Sequence, residues 1–475
     1  MIDTESRPVE LLLLIGQHLA TILGFLLALL LVSRVLRQHS RPATSIAWFL
    51  FMVLAPWVGV PAYLVFGGRK LRDRAGRKPE LHASAPMPQA AEVADVADDS
   101  ARRLVACGLP PPRAGNAMEL LTDGTAAYER LLALIDDARH SIHLTTFILA
   151  DDAVGRSLVA HLAARAREGV AVRVLVDAIG SLCARAWRLR ELTRAGGELG
   201  VFMPVLPLRR RWSANLRNHR KLAIFDDAIV LTGGMNLAHE YMGPALPEDA
   251  LERRWIDTSV ELRGPAVADF AQLFAQDWQF ATGRTVAVGP APAALGEITL
   301  QIAPTGPDVA GEPFYDVLTA AIHNARDRIW IVTPYFVPDE GLLRALALQA
   351  RVGVDVRLVM PRQSNHRVAD LARNRLLREL AQTGVRVFLH PHAMIHAKHI
   401  VIDDRVAITG SVNMDARSLY LNYELALFAY GRTAAARDAW WIDRLAAHCE
   451  ESLPPRPGIL GRWAEDLSWL LSPLI

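Results

Sequence analysis

Lysine is almost missing from this chain. Of 52 basic residues in 475, four are lysines (Lys70, Lys78, Lys221 and Lys398) and 48 are arginines. Cysteine is scarce too: Cys107, Cys183 and Cys449 are far apart, odd in number and in no C-x-x-C arrangement, which argues against a disulfide framework or a zinc site and fits a reducing compartment. A net charge of +2 leaves no broad basic field, so composition does not point to nucleic acid as a partner. Charged residues make up only 21% against 51% apolar, which excludes a disordered chain and allows two or three domains with a sizeable core.

Two of the four lysines fall in one repeated pattern. Residues 395–413 read IHAKHIVIDDRVAITGSVN and residues 218–236 read NHRKLAIFDDAIVLTGGMN. Each holds H-x-K-x4-D: His219, Lys221 and Asp226 in the first copy, His396, Lys398 and Asp403 in the second. Each continues through small residues, Gly233-Gly234 or Gly410-Ser411, to Asn236 or Asn413, with 17 residues from His to Asn in both. Random placement of so few lysines beside 15 histidines would give roughly 0.13 H-x-K pairs in the whole chain. An arginine-rich chain that keeps lysine at both positions points to a need for a compact ammonium rather than a planar guanidinium.

Around the motifs the chain is ordered in two parallel series. Residues 11–33 and 45–66 are apolar runs long enough to cross a bilayer at about 1.5 Å per residue, and together predict a two-helix transmembrane hairpin rather than a cleaved leader. Six basic residues after the second run (Arg69, Lys70, Arg72, Arg74, Arg77 and Lys78) against three in the connector place the bulk of the protein on the cytoplasmic side. Residues 79–112, rich in Ala, Pro and acids, read as a linker. Residues 126–139 predict a helix, 141–148 a strand, 155–167 a helix and 172–176 a buried strand. The second half repeats this with 328–336, 341–351 and 353–359. Internal duplication of an α/β unit of about 180 residues is the economical reading. In each motif the run after the His predicts a strand ending at Asp226 or Asp403, then a second short strand, a Gly-rich turn that lets backbone approach a ligand, and a helix offering N–H groups to phosphate.

The duplicated H-x-K-x4-D resembles the signature of the phospholipase D superfamily. Within it the chain is most similar to bacterial cardiolipin synthases, through TPYFVPD at 333–339, RSLYLNYE at 417–424, the paired N-terminal spans and the terminal LLSPLI. The resemblance implies two similar α-β-α sandwich domains forming a pseudo-two-fold unit behind the hairpin. The expected boundaries are 1–78 for the membrane region, 79–115 for the linker, and 116–290 and 291–475 for the two domains. It also implies no metal or cofactor and a site lined by both motifs. The set of catalytic candidates is His219, Lys221, Asp226, His396, Lys398 and Asp403. Carried over by position, His219 is expected to attack phosphorus and His396 to protonate the leaving alcohol, a phosphodiester needing a nucleophile, a proton donor and positive charge around its oxygens. Lys221, Lys398, Asn236, Asn413, Gly234 and Ser411 are expected around the phosphate. Asp226 and Asp403 suit support better than catalysis, and Asp257 and Glu424 are expected to orient the histidines. Ile256 before Asp257 and Phe225 before Asp226 depart from the usual pattern.

The function implied is phosphatidyl transfer in a bacterial inner membrane, with phosphatidylglycerol and membrane lipids as partners. A phospholipase D, a transferase with another donor or acceptor, and an inactive membrane scaffold stand as alternatives. His143, His239, His390, His392 and His399 are expected to be structural or solvent-facing, Tyr335, Arg417 and Ser418 to meet headgroups, and the helically spaced stripe Trp463, Leu467, Leu470, Leu471 and Leu474 to pack on the protein's own core, with contact to the membrane as the alternative.

Overall fold

The computed structural model describes residues 42–55, 57–60, 78, 98–182, 189–204, 216–245, 247 and 254–471. The chain divides into two compact units, residues 1–77 with 213–215, and the remainder. In the first, Pro42–Leu54 is helical. No helix among the described residues is long and apolar enough to cross a membrane; the expected span 11–33 and the end of 45–66 lie outside them.

The second unit is built on one 15-stranded sheet. From one edge it runs Glu198–Phe202, Ala171–Asp177, Ser141–Thr146, Leu222–Phe225, Ile229–Gly233, Ser259–Arg263 and Arg113–Leu121. It then continues in mirrored order through Ile298–Thr305, Glu424–Tyr430, Val406–Gly410, His399–Ile402, Arg328–Val332, Asp355–Pro361 and Arg386–His390, with Glu450–Glu451 added at the far edge. The three outer strands of each half pair in parallel and the inner ones antiparallel. This matches the sequence: the outer strands are near-continuous Val, Ile and Leu runs, the pattern of strands covered on both faces.

Helices complete the layers. Gly124–Asp137 and Ala153–Arg167 bury Leu131, Leu134, Leu158 and Leu162 against the first half of the sheet. Pro313–His323 and Glu340–Arg351 do the same in the second half with Leu318, Ile322, Ala345 and Leu346. The opposite face is covered in the first half by Val267–Thr282 and in the second by Arg432–Ala447. The starts of three of these helices are fixed by aspartate caps, Asp123, Asp152 and Asp339 accepting from the N–H groups of Ala126, Gly155 and Leu342.

Two stretches differ from expectation. The end of the predicted linker is a helix, Asp99–Ala106, whose Ala101 and Leu104 are fully buried in the core of the second half. Lys78, counted above as a flanking charge, is 3% exposed and lies in a buried ion cluster. Its ammonium meets Asp277 and, at 2.6 Å, Asp308, and Arg220 meets the same two carboxylates at 2.8 and 3.3 Å.

Candidate active site

The two motif strands are neighbours of the sheet's inner antiparallel region, and the residues just before them cross between halves. Asn218 bridges Tyr423, and Ile256 bridges Ile395. His219 N–H donates to Tyr423 O at 2.8 Å, and His396 N–H donates to Ile256 O at 2.7 Å. The departure at Ile256 therefore falls on a main-chain contact that uses no side-chain polarity.

These crossings bring His219, Lys221, Asn236, His396, Lys398, Ser411 and Asn413 around one cavity of about 150 Å³. Its size suits a phosphodiester headgroup rather than a whole lipid, whole drug-sized ligands needing roughly 300–1,000 Å³. His and Lys two apart, in the residues that lead into strands Leu222–Phe225 and His399–Ile402, both line the cavity, while the residue between them does not. In the first copy that residue is Arg220, fully buried in the ion cluster with Asp277 and Asp308.

Each histidine is held by a carboxylate from the other half. Asp257 Oδ2 lies 2.6 Å from His396 Nδ1, and Glu424 Oε1 lies 3.2 Å from His219 Nδ1. With Nδ1–H donated to the carboxylate, Nε2 is the remaining nitrogen of each ring, and that of His396 stands 3.1 Å from Lys398 Nζ. The lysines fold back on their own motifs, Lys221 Nζ donating to His219 O at 2.8 Å and Lys398 Nζ donating to His396 O.

The surroundings of the two rings are unequal. His219 keeps 21% of its side chain exposed and rests against Phe147 with ring centres 4.0 Å apart. His396 keeps 9% and is enclosed by Tyr241 and Trp255, with ring centres at 5.0 and 5.6 Å. Burial, reinforced by the Lys398 ammonium, pushes His396 down to about 3, so the ring is neutral. Burial also lowers Lys221, and lowers Lys398 to about 7. Burial alone would raise Asp257 and Glu424, but the histidine that each faces and the neighbouring lysine outweigh it and hold both carboxyls below their usual range.

Asp226 and Asp403, grouped with the catalytic candidates but expected to support rather than catalyse, stand apart from the site, while the expectations for Gly234 and for the helices after the turns are corrected. Asp226 and Asp403 do not reach the cavity. Asp226 accepts the backbone N–H groups of Arg139, His140 and Ser141 at 2.7 to 2.8 Å, and Asp403 accepts those of Arg326, Asp327 and Arg328 at 2.8 to 3.2 Å. Both are anchors for the start of the neighbouring strand. Gly234 is small for a different reason than ligand approach: a Cβ there would stand 2.2 Å from Asp257 Oδ1. Ser411, its counterpart, lines the cavity yet donates its hydroxyl to Glu424 at 2.5 Å. Among the described residues no helix follows the Gly-rich turn in the first copy, and in the second a five-residue helix, Ala416–Tyr420, starts only after Met414–Asp415.

Asn413 lines the cavity, where its Nδ2–H group can donate to a phosphoryl oxygen, and its Oδ1 is buried without a hydrogen-bond partner among the described residues, an acceptor for a donor group. Asn236 is engaged with Ile148 N–H at 3.3 Å. Tyr335, Arg417 and Ser418 do line the cavity, as do Phe147, Tyr241, His366, Asp415 and Asn422, which the motifs did not indicate. His399 is structural, bonded to Asp438 at 2.8 Å and Thr258 at 2.7 Å, and His143 is buried against Phe274.

A mirrored α/β sheet with one histidine and one lysine from each half around a single cavity defines a phospholipase D-like protein. The family described as "Cardiolipin synthase, PLD-like domain" matches residues 131–278 and 318–445, and the chain belongs to it. Residues 26–68 match the family described as "Phospholipase_D-nuclease N-terminal". A cardiolipin synthase of Geobacillus kaustophilus is 33% identical over 92% of this chain and 90% of that protein. A cardiolipin synthase A of Pseudomonas putida is 32% identical over 88% and 90%. The crystal structure of phosphatidylserine synthase from Haemophilus influenzae Rd KW20 superposes with a TM-score of 0.60 at 15% identity, covering 80% of this chain and all of that one, which shows a shared fold.

Proposed function

We propose that this chain is a phosphatidyltransferase that joins two phosphatidylglycerol molecules into cardiolipin and releases glycerol. The observation that carries the reading is the pair of carboxylate-held histidines facing one cavity with two buried lysines. In the first step, Nε2 of one ring bonds to phosphorus, the bond from phosphorus to the glycerol oxygen breaks, and the other ring gives that oxygen its proton. In the second step, the hydroxyl of a second phosphatidylglycerol passes its proton to the same ring and attacks phosphorus, and the P–N bond breaks. Lys221, Lys398 and Asn413 stabilise the charge on the phosphoryl oxygens.

The attacking ring must be neutral and its partner charged. Enclosure and Lys398 make His396 the neutral ring, which supports His396 as nucleophile and His219, more open and facing Glu424, as proton carrier. This reverses the roles expected from chain order. We place the protein in a bacterial inner membrane, multi-pass, with the catalytic part on the cytoplasmic side, and keep 116–290 and 291–475 as its two domains.

The test is incubation of the purified protein with labelled phosphatidylglycerol, resolving cardiolipin, glycerol and phosphatidic acid. Cardiolipin with equimolar glycerol is expected. Phosphatidic acid alone would make it a phospholipase D, and equal inactivity of wild type and His219→Ala would make it a scaffold.

A further inference from the structure

A surface helix ordinarily buries its apolar stripe and turns its polar face to water. The C-terminal helix Ile459–Leu471 is built the other way round. Its protein-facing positions include Glu465 and Ser468, 5% and 7% exposed, whereas Leu460, Trp463 and Leu467 are 85%, 72% and 59% exposed. Ile459, Leu453 and Trp469 add to the exposed apolar surface. The expectation that Trp463 and Leu467 pack on the protein's own core is thus overturned, and the side chains of Leu470, Leu471 and Leu474 lie outside the described residues. Ion pairs seat the helix: Arg378 grips Glu465, and Arg375 reaches Asp466 at 3.2 Å.

Both arginines belong to the helix Arg367–Ala381, and that helix starts at the cavity, where His366 and Ala369 form part of the wall. Val368, between them, is 41% exposed. One rigid element therefore links the outward apolar stripe to the mouth of the site.

We propose that this outward face is a membrane-docking surface that seats the cavity mouth on a leaflet containing anionic lipid. The proposal rests on the reading of the substrate as a lipid: the cavity takes a headgroup, so the acyl chains have to stay in a bilayer lying against it. The face has the composition of an interfacial helix, with tryptophans at Trp463 and Trp469 and exposed Arg456 and Arg462 beside the stripe. Neither arginine has an ion-pair partner among the described residues, which leaves their charge for anionic headgroups. The exposed acid on the helix, Asp466, is already paired with Arg375.

The test uses the full chain in nanodiscs of phosphatidylglycerol and phosphatidylcholine. An environment-sensitive dye is attached through Leu460→Cys in a background with Cys107, Cys183 and Cys449 replaced by serine. Quenching by lipid brominated along its acyl chains is expected. In parallel, the combined variant Leu460→Asp, Trp463→Asp and Leu467→Asp is expected to lower kcat/KM on phosphatidylglycerol vesicles roughly tenfold or more, through KM. Its turnover of dispersed short-chain phosphatidylglycerol stays unchanged, and Trp463→Tyr keeps vesicle activity. Absence of quenching, equal loss on both substrates, or disulfide cross-linking between two unlabelled Leu460→Cys chains overturns the proposal. Wild type inert on both substrates defeats the proposed reaction instead, and the quenching measurement still decides the docking.

Discussion

His219 and His396 stand at equivalent places in two like halves, with the same lysine two residues on and the same offset of 177 residues throughout both motifs. Their environments nevertheless diverge. His396 is enclosed by two aromatic rings and tied to Asp257 at 2.6 Å, while His219 lies on Phe147, more than twice as exposed, with Glu424 at 3.2 Å. Duplication supplies two copies of one imidazole, and unequal burial leaves the more enclosed ring, His396, neutral. A displacement that needs a neutral attacker and a charged acid at the same moment depends on that inequality.

The strongest way to break the comparison is to remove one ring at a time. His219→Ala and His396→Ala should each lower kcat by about 10² to 10⁴ or more in the cardiolipin assay. After a quench with labelled phosphatidylglycerol they should differ: His219→Ala retains the nucleophile and collects acid-labile, alkali-stable label on the protein, and His396→Ala collects none. Label on His396→Ala instead would restore the order expected from the sequence.

The lysines offer a second distinction. Because Lys398 is lowered to about 7, kcat/KM should fall as pH rises through that value, when the free site loses an ammonium needed by the phosphodiester. Lys398→Arg should remove this limb from the pH profile while lowering the maximum; a limb that stays in place would assign the titration to another group.

A smaller effect separates the supports of the carboxylates. Gly234→Ala forces a methyl group onto Asp257 and should cost roughly 10²-fold in kcat, whereas Ser411→Ala removes one hydrogen bond to Glu424 and should cost nearer tenfold. Equal effects would mean that the two carboxylates are held alike.

The smallest catalytic effect is expected at the strand anchors. Asp226→Asn and Asp403→Asn should each destabilise the fold by about 1–3 kcal/mol in denaturant titration, with kcat close to wild type. Backbone N–H groups hold both carboxyls below their usual range despite burial, so their stabilisation is full above the unfolded pKa and is lost as pH falls through the lowered folded value.

Much of the site was legible because strand periodicity and the scarcity of lysine act locally. The runs at 141–146, 171–177, 328–332 and 355–361 could be read from apolar content alone, and His219, Lys221, His396 and Lys398 from spacing. Asp257 and Glu424 could be named but not matched to their histidines, because each serves the ring of the opposite half and only the docking of the halves decides that. Gly234 was visible as a small residue, and its reason was hidden, since the atom it avoids belongs to a side chain 23 positions on. The wall residues Asn365 and His366 come from a loop outside both motifs, so the repeated spacing gave no signal for them. The inverted C-terminal helix shows the limit of periodicity: spacing finds an apolar stripe and says nothing of what it faces.

The cluster of Lys78, Arg220, Asp277 and Asp308 has a meaning for how the protein is made. The ammonium of Lys78 leaves the ribosome 199 residues ahead of one of its carboxylates and 230 ahead of the other. A charge that ends 3% exposed meets its first carboxylate only when Asp277 has emerged, and its second only with Asp308 of the second half. Closure beneath His219 is therefore a late event in biogenesis, and a nascent chain arrested before Asp308 has the first motif complete in sequence and its underside still open.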